Sequence, residues 1–220
     1  MRIAEIFYSV QGEGTLVGVP SVFVRTSGCN LRCAWCDTPY TSWQPEGEER
    51  SLQSIVEEVD SFGAKHVVVT GGEPMIAPEI GELTRGLRGH LTIETAGTVD
   101  VDVRCDLVSI SPKLANSTPE GRFAAQHERL RYQPAVLRSL MNRFPYQLKF
   151  VMVSPDDLAE IHALLKETGA DASHVVLMPE GIEPHVLAER GRWLVEICKR
   201  EGFRYSPRVH VDLWGARRGV

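Results

Sequence analysis

Gly28-Cys29-Asn30-Leu31-Arg32-Cys33-Ala34-Trp35-Cys36-Asp37-Thr38 gathers three of the chain's five cysteines into eight residues, spaced Cys-x3-Cys-x2-Cys, while Cys105 and Cys198 stand apart and alone. Three thiolates this close cannot all pair as disulfides, so the spacing points to a metal. A structural zinc would want a fourth cysteine or histidine, and no histidine lies nearer than His66. An iron–sulfur cluster held by three cysteines instead leaves one iron without a protein ligand, open to a small molecule.

Outward from this stretch, Pro20-Ser21-Val22-Phe23-Val24-Arg25-Thr26 alternates as a strand does and runs straight into Gly28-Cys29. That places Arg25 near the thiols, where a guanidinium suits the anchoring of a substrate carboxylate. Residues 3–10 look extended and lead to Gln11-Gly12-Glu13-Gly14, a tight turn whose glycines let backbone approach a ligand while Gln11 and Glu13 offer amide and carboxylate groups.

Downstream, residues 51–62 have helical spacing with Ser51 as N-cap. His66-Val67-Val68-Val69-Thr70 is a continuous apolar run of the kind buried in a parallel sheet, and it ends in Gly71-Gly72-Glu73-Pro74. Strand, glycine pair and helix make a ligand-binding construction in which the Glu73 carboxylate is able to receive an ammonium group. A helix over 76–87, strands over 91–95 and 106–110, and the polar exit Ser111-Pro112-Lys113 follow. Only residues 99–105 join those two strands, too few for a crossover helix, so a regular (βα)8 barrel is disfavoured. Residues 114–123 read as a mobile loop and 132–144 as a helix. Two further strand–helix pairs, 146–153 with a helix capped by Ser154 and 174–179 with a helix over 185–201, precede the tail that carries His210 and ends at Val220.

Strand followed by helix, six or seven times, predicts an α/β fold: a parallel sheet curled into a partial, incomplete βα barrel with some helices reduced or missing, as a single domain over 1–220. Thr70 with Glu73, Glu94 with Thr95, and Ser111 with Lys113 all follow the last apolar residue of a strand, the edge where α/β sheets place their chemistry. Hydrophobic residues at 43%, charged residues at 24% and a formal charge of −5 give no basic footprint for nucleic acid and no run able to span a bilayer. With no signal-peptide pattern at the N-terminus, a reducing cytoplasm is expected. Cys105 and Cys198 read as buried apolar residues without a task.

Trp35 just before the third cysteine, together with Gly71-Gly72-Glu73-Pro74, resembles the radical S-adenosylmethionine (SAM) enzymes. Gln11-Gly12-Glu13-Gly14, the Phe23-Val24-Arg25-Thr26 approach, Trp35-Cys36-Asp37-Thr38, Glu94-Thr95-Ala96-Gly97, Ser111-Pro112-Lys113 and the Leu213-Trp214-Gly215 ending together resemble, over nearly the full length, the 7-carboxy-7-deazaguanine synthases. That resemblance implies a carbon–nitrogen lyase that turns 6-carboxy-5,6,7,8-tetrahydropterin into 7-carboxy-7-deazaguanine with loss of ammonia, on the route to queuosine. It implies a [4Fe-4S] cluster on Cys29, Cys33 and Cys36, SAM and Mg2+, a homodimer, and an external flavodoxin- or ferredoxin-like one-electron reductant. By the same resemblance Trp35, Cys36, Asp37, Gly72, Glu73, Ser111, Pro112 and Lys113 meet SAM, and Thr38 ligates Mg2+. Val10, Gln11, Gly12, Glu13, Arg25, Thr70, His210 and Val220 border the pterin. Ala96, where many relatives carry a polar residue, and Met178 depart from the pattern and leave backbone or packing for any adenine contact there. Two alternatives share part of this pattern: an activase that makes a glycyl radical on a partner protein, and a zinc-stabilised binding module.

Overall fold

The alternating and continuous apolar runs fold into nine strands of one sheet: β1 (Arg2–Val10), β2 (Pro20–Thr26), β3 (Glu48–Glu49), β4 (His66–Gly71), β5 (His90–Thr95), β6 (Leu107–Ile110), β7 (Tyr146–Met152), β8 (Val175–Pro179) and β9 (Arg204–Tyr205). The computed structural model describes residues 1–220. The strand order is β3-β1-β2-β4-β5-β6-β7-β8-β9. Every pair from β2 to β9 is parallel, while β1 runs antiparallel to both β2 and β3. The edge strands β3 and β9 do not pair, so the curled sheet stays open, as the trimmed connections required.

Eight α-helices accompany it: α1 (Pro39–Ser42), α2 (Leu52–Ser61), α3 (Ile80–Gly86), α4 (Ala124–Arg131), α5 (Pro134–Arg143), α6 (Leu158–Thr168), α7 (Pro184–Glu201) and α8 (Val209–Trp214). Side chains alternate across each strand, so β2 sends Val22 and Val24 into the core beneath the helices and turns Phe23 and Arg25 to the concave face. Ile55 and Val59, one helical turn apart on α2, bury against that same core, each worth roughly 2 kcal/mol of apolar burial. No helix lies between β5 and β6. The 11–19 segment crosses the open side: a 3-10 turn at Gly14–Leu16 lets Thr15 N donate to Gln147 Oε1 at 2.8 Å and Gly14 N to Ser206 Oγ at 2.7 Å. Gly14 has φ of +75°, and a Cβ there would sit 2.3 Å from the Gln147 amide, so only glycine fits this crossing.

Three segments differ from the sequence expectation. Residues 76–87 divide into a 3-10 turn (Pro74–Ile76) and α3, because Pro78 forces Ala77 into an extended conformation. The helix over 132–144 starts only at Pro134, with Gln133 held non-helical by the proline after it, and α4 stands separately before it. Residues 114–123, expected as a loop, contain two 3-10 turns, Ala115–Ser117 and Gly121–Phe123. Leu114 and Ser117 are buried, and the Ser117 hydroxyl meets the Leu114 carbonyl and the His127 ring. Asn116 donates to the Val151 carbonyl and to Asp157, the residue that also closes the capping box of the 3-10 turn leading into α6. The polar composition that suggests mobility is spent on these hydrogen bonds.

Candidate active site

The carboxyl ends of the parallel strands surround one cavity of about 480 Å3, and Cys29, Cys33 and Cys36 all line it. Leu31, Cys33 and Ala96 form a small apolar cluster of their own, with Cys29 and Cys36 packed against it. Leu31 N donates to Cys29 Sγ at 3.4 Å, and Ser42 Oγ lies 3.1 Å from Cys36 Sγ. As free thiols, Cys29 is pushed up to about 12 and Cys33 to about 11 by burial, so an ordinary pH leaves both protonated until a metal displaces the proton. Cys105 and Cys198 pack into the main core and supply no fourth thiolate. No three His, Cys, Asp or Glu side chains are gathered tightly enough to chelate a single ion. Three thiols facing one cavity therefore fit a three-cysteine cluster, which spreads its ligands over several irons, and do not fit a four-ligand zinc knot.

The glycine turn after β4 is pressed onto the cysteine loop. Gly71 has φ of +150°, and a Cβ on Gly72 would lie 2.2 Å from the Gly28 carbonyl oxygen and 2.7 Å from Cys29 Cβ. Glu73 N donates to that same Gly28 oxygen at 2.9 Å, which ties the two loops together. The Glu73 carboxylate departs from the expectation. It is fully buried, outside the cavity wall, and accepts from Met75 N (3.0 Å), Thr95 Oγ1 (2.8 Å) and Ala96 N (2.8 Å). Burial pushes its pKa up, against the pull of those donors. Its side chain thus staples the end of β5 to the turn, and the backbone of Gly71 and Gly72 forms the wall. Pro112 is likewise buried behind the wall, while Ser111 and Lys113 reach it. Lys113 Nζ donates to Ser111 Oγ at 2.7 Å and lies 5.7 Å from the Trp35 ring centre.

The same cavity is also lined by charge, and Asp37, next to Cys36, belongs to that cluster. Glu13 accepts from Lys149 and, at 2.9 Å, from Arg208 Nε; Arg208 also pairs with Asp37 and donates to the Gly181 carbonyl at 2.6 Å. Burial raises the Glu13 carboxyl, but Lys149 and Arg208 outweigh it and hold the group ionised far below the usual carboxylate range. Gln11 Nε2 donates to Glu94 at 3.1 Å, and Thr70 Oγ1 donates to the other Glu94 oxygen at 2.9 Å. Arg25 gives its Nε to Glu5 at 2.6 Å and lines the cavity beside Phe7, its guanidinium carbon 5.7 Å from that ring. His210 packs directly on Gly12: a Cβ there would meet its Nδ1 at 2.1 Å. Burial lowers the His210 pKa although Glu13 stands 4.0 Å away.

Of the residues singled out from sequence, Val10, Gln11, Gly12, Glu13, Arg25, Trp35, Asp37, Thr38, Thr70, Gly72, Ser111, Lys113, His210 and Val220 join the cysteines on this wall; Glu73 and Pro112 do not. Met178 lines it by packing and Ala96 spends its N–H on Glu73. Sequence reasoning placed Glu94 at the end of a strand without giving it a task, and overlooked Lys149 and Arg208. Lys149 carries a signal in retrospect, since it is a charged residue inside the almost wholly buried strand β7.

The family model of the Radical SAM superfamily matches residues 23–116. A 7-carboxy-7-deazaguanine synthase of Rhodopirellula baltica is 45% identical, covering 100% of this chain and 89% of its own length. One from Halobacterium salinarum is 46% identical over 97% of this chain and 90% of its own. Among solved structures, QueE from Escherichia coli superposes with a TM-score of 0.70 at 27% identity, covering 95% of this chain and 94% of that one. SuiB from Streptococcus suis shares the fold at a TM-score of 0.57, with 13% identity over 83% of this chain and 47% of its own. Identity of this order over essentially the whole length, carried on one cavity lined by three thiols and by buried charge, makes this chain a member of the 7-carboxy-7-deazaguanine synthase family of radical SAM enzymes.

Proposed function

We propose that the chain converts 6-carboxy-5,6,7,8-tetrahydropterin into 7-carboxy-7-deazaguanine with loss of ammonia. The observation that carries this reading is the division of one cavity between three cysteine thiols and a cluster of buried, mutually satisfied charges. Cys29, Cys33 and Cys36 would hold a [4Fe-4S] cluster which, with SAM, would supply the power to take a hydrogen atom from the carbon bearing the substrate carboxylate. The chain's own residues do the rest. Gly72 offers backbone to the methionine end of SAM, while Trp35, Asp37, Ser111 and Lys113 border it. Glu13, kept ionised by Lys149 and Arg208, presents carboxylate oxygens to the N–H groups of a pterin, and Gln11 is fixed by Glu94 as a second reader of that edge. Arg25, anchored through Nε, aims its remaining N–H groups at the substrate carboxylate, which sets the reacting carbon in line. Val10, Gly12 and Thr70 complete the border, and His210 and Val220 cover it.

Thr38, on the cavity wall between Cys36 and α1, is our candidate ligand for Mg2+, a cation that takes few protein oxygens and keeps several waters. We further propose a single domain, supported by the one continuous sheet, acting as a homodimer in the cytoplasm with an external one-electron reductant. No helix is long and apolar enough to cross a membrane.

The test is anaerobic incubation of the reconstituted protein with SAM, dithionite and the carboxytetrahydropterin, with mass detection of the deazaguanine; turnover of SAM without that product refutes the assignment. In the same assay Arg25→Ala is expected to raise KM for the pterin roughly tenfold to a hundredfold, the worth of charge-assisted hydrogen bonds, at unchanged iron content. An unchanged KM removes Arg25 from the site.

A further inference from the structure

The C-terminal cover of the cavity is held at a single point. After α8 closes at Gly215, residues 216–220 run along the cavity wall to Val220. Apart from a turn of their own, Arg217 N to the Gly215 carbonyl at 2.8 Å, their one hydrogen bond to the rest of the chain runs from Arg218 Nη1 to Glu46 Oε2 at 2.9 Å. The Arg218 guanidinium carbon also stands 3.6 Å from the centre of the Tyr40 ring. Both partners belong to one turn, since Glu46 N donates to the Tyr40 carbonyl at 2.8 Å. Arg218 and Glu46 are 47% and 57% exposed, so water screens their charges and the stacked ring is the stronger hold. At its other end Tyr40 reaches the substrate side: its hydroxyl donates to Glu5 Oε1 at 2.8 Å, the same oxygen that accepts from Arg25 Nε at 2.6 Å. Glu5 and Arg25 sit opposite each other on β1 and β2 with their side chains largely buried. Burial pushes the Tyr40 hydroxyl up to about 12, so it remains a donor at any ordinary pH.

We propose that Tyr40 and Arg218 are positioning residues for the reaction, and that Tyr40 joins the C-terminal strap to the anchor of the substrate carboxylate. Its ring holds Arg218, and with it Val220, on the cavity wall, while its hydroxyl acts through Glu5 to fix the direction of Arg25. The proposal rests on the reading of the cavity as a carboxypterin site. A carboxylate oxygen that receives two donors is fixed in place. With the phenol gone, Glu5 and Arg25 swing as a pair, and the guanidinium no longer stands in the orientation that a substrate carboxylate needs. With the ring gone, Arg218 keeps only a solvent-screened pair with Glu46, and the strap opens the cavity to water. A cation over the ring also makes the phenol the better donor to Glu5, so seating the strap tightens the anchor.

The test uses reconstituted full-length protein with SAM and without reductant, so that binding is measured in the absence of turnover. Tyr40→Phe keeps the ring and removes the hydroxyl, Tyr40→Leu removes both, and neither alters the tail itself. Carboxypeptidase A, acting without pterin present, is expected to release Val220 at the wild-type rate from Tyr40→Phe and about tenfold faster from Tyr40→Leu, the worth of a stacked guanidinium. By calorimetry, Tyr40→Phe is expected to bind 6-carboxy-5,6,7,8-tetrahydropterin about tenfold more weakly, the worth of one hydrogen bond to a charged group, and to bind tetrahydropterin lacking the carboxylate as the wild type does. Arg218→Ala, at an exposed position, is expected to speed amide exchange over 209–220 and leave that of β1 and β2 unchanged. Equal Val220 release from both variants and the wild type, unchanged exchange in Arg218→Ala, or an equal loss of affinity for both pterins in Tyr40→Phe overturns the proposal. Failure of the wild type to bind either pterin overturns the reading of the cavity instead, and the release of Val220, which needs no pterin, still decides the strap.

Discussion

Glu13 is the residue on which the polar half of the cavity turns. Its side chain and those of Lys149 and Arg208 are each at most 14% exposed, so the three charges stand or fall together. Removing one member of such a buried set leaves the others unpaired, and Glu13→Gln is expected to cost about 3 kcal/mol of stability by denaturant unfolding. Lys199→Ala, which breaks an exposed pair with Glu196, is expected to cost at most about 0.5 kcal/mol. Because the folded-state pKa of Glu13 is depressed, its contribution is fully present above the usual carboxylate range and drains away as the pH falls below it. The wild type should therefore lose stability on acidification more steeply than Glu13→Gln; parallel pH profiles would show that Glu13 is not held ionised by its partners. Gly72 makes a second, steric claim at this scale. A methyl group there collides with the Gly28 carbonyl and Cys29, so Gly72→Ala should displace the cysteine loop and lower iron retained after reconstitution while the far-UV spectrum stays native. The cysteines, Gly72 and Arg25 were legible because their types and spacing are local. Lys149 and Arg208 were not, because each is a single residue whose partner lies far off in the chain, and only folding brings Glu13 to Lys149, 136 positions away. Glu73 stands apart because a carboxylate beside two glycines looks like a ligand, whereas its side chain is buried and accepts from Met75 N, Thr95 Oγ1 and Ala96 N.

At the scale of elements, the buried strands were the most readable part of the chain, since a parallel strand covered on both faces must be apolar throughout. The irregular stretch 114–123 was the least readable. Its order comes from tertiary hydrogen bonds: Trp35 Nε1 donates to the Asn116 carbonyl at 3.0 Å, and Asn116 donates to Asp157 at 2.9 Å. Asp157 also accepts from Val153 N and Ser154 N, so a helix-leading cap and a cavity-lining tryptophan are linked through one carboxylate. Asp157→Ala is expected to cost about 1–2 kcal/mol in thermal unfolding, the usual worth of a cap with its neighbours, and to open 114–123 to amide exchange. Exchange unchanged in that segment would show that it is held by packing alone. The two helices misjudged from sequence failed at Pro78 and Pro134, where the residue before each proline cannot remain helical.

At the scale of the molecule, an unclosed sheet gives the cavity its mixed character. The barrel's missing side admits the 11–19 segment, which brings Gln11 and Glu13 inside, and α8 with residues 216–220 returns along the same wall. Repeated strand–helix order and the short link between β5 and β6 made the partial barrel legible; the antiparallel pairing of β1 and the two-residue strands β3 and β9 carry too little pattern to announce themselves. The central claim is that three cysteines hold a cluster with one iron left open to SAM on the cavity side. Electron–nuclear double resonance on the reduced, anaerobically reconstituted protein, with SAM labelled with 15N at its amino group, tests it most directly. The account predicts about four irons per chain and a 15N coupling that shows the amino group bound to iron. An iron–sulfur signal without that coupling, or a colourless protein holding one zinc, would contradict it.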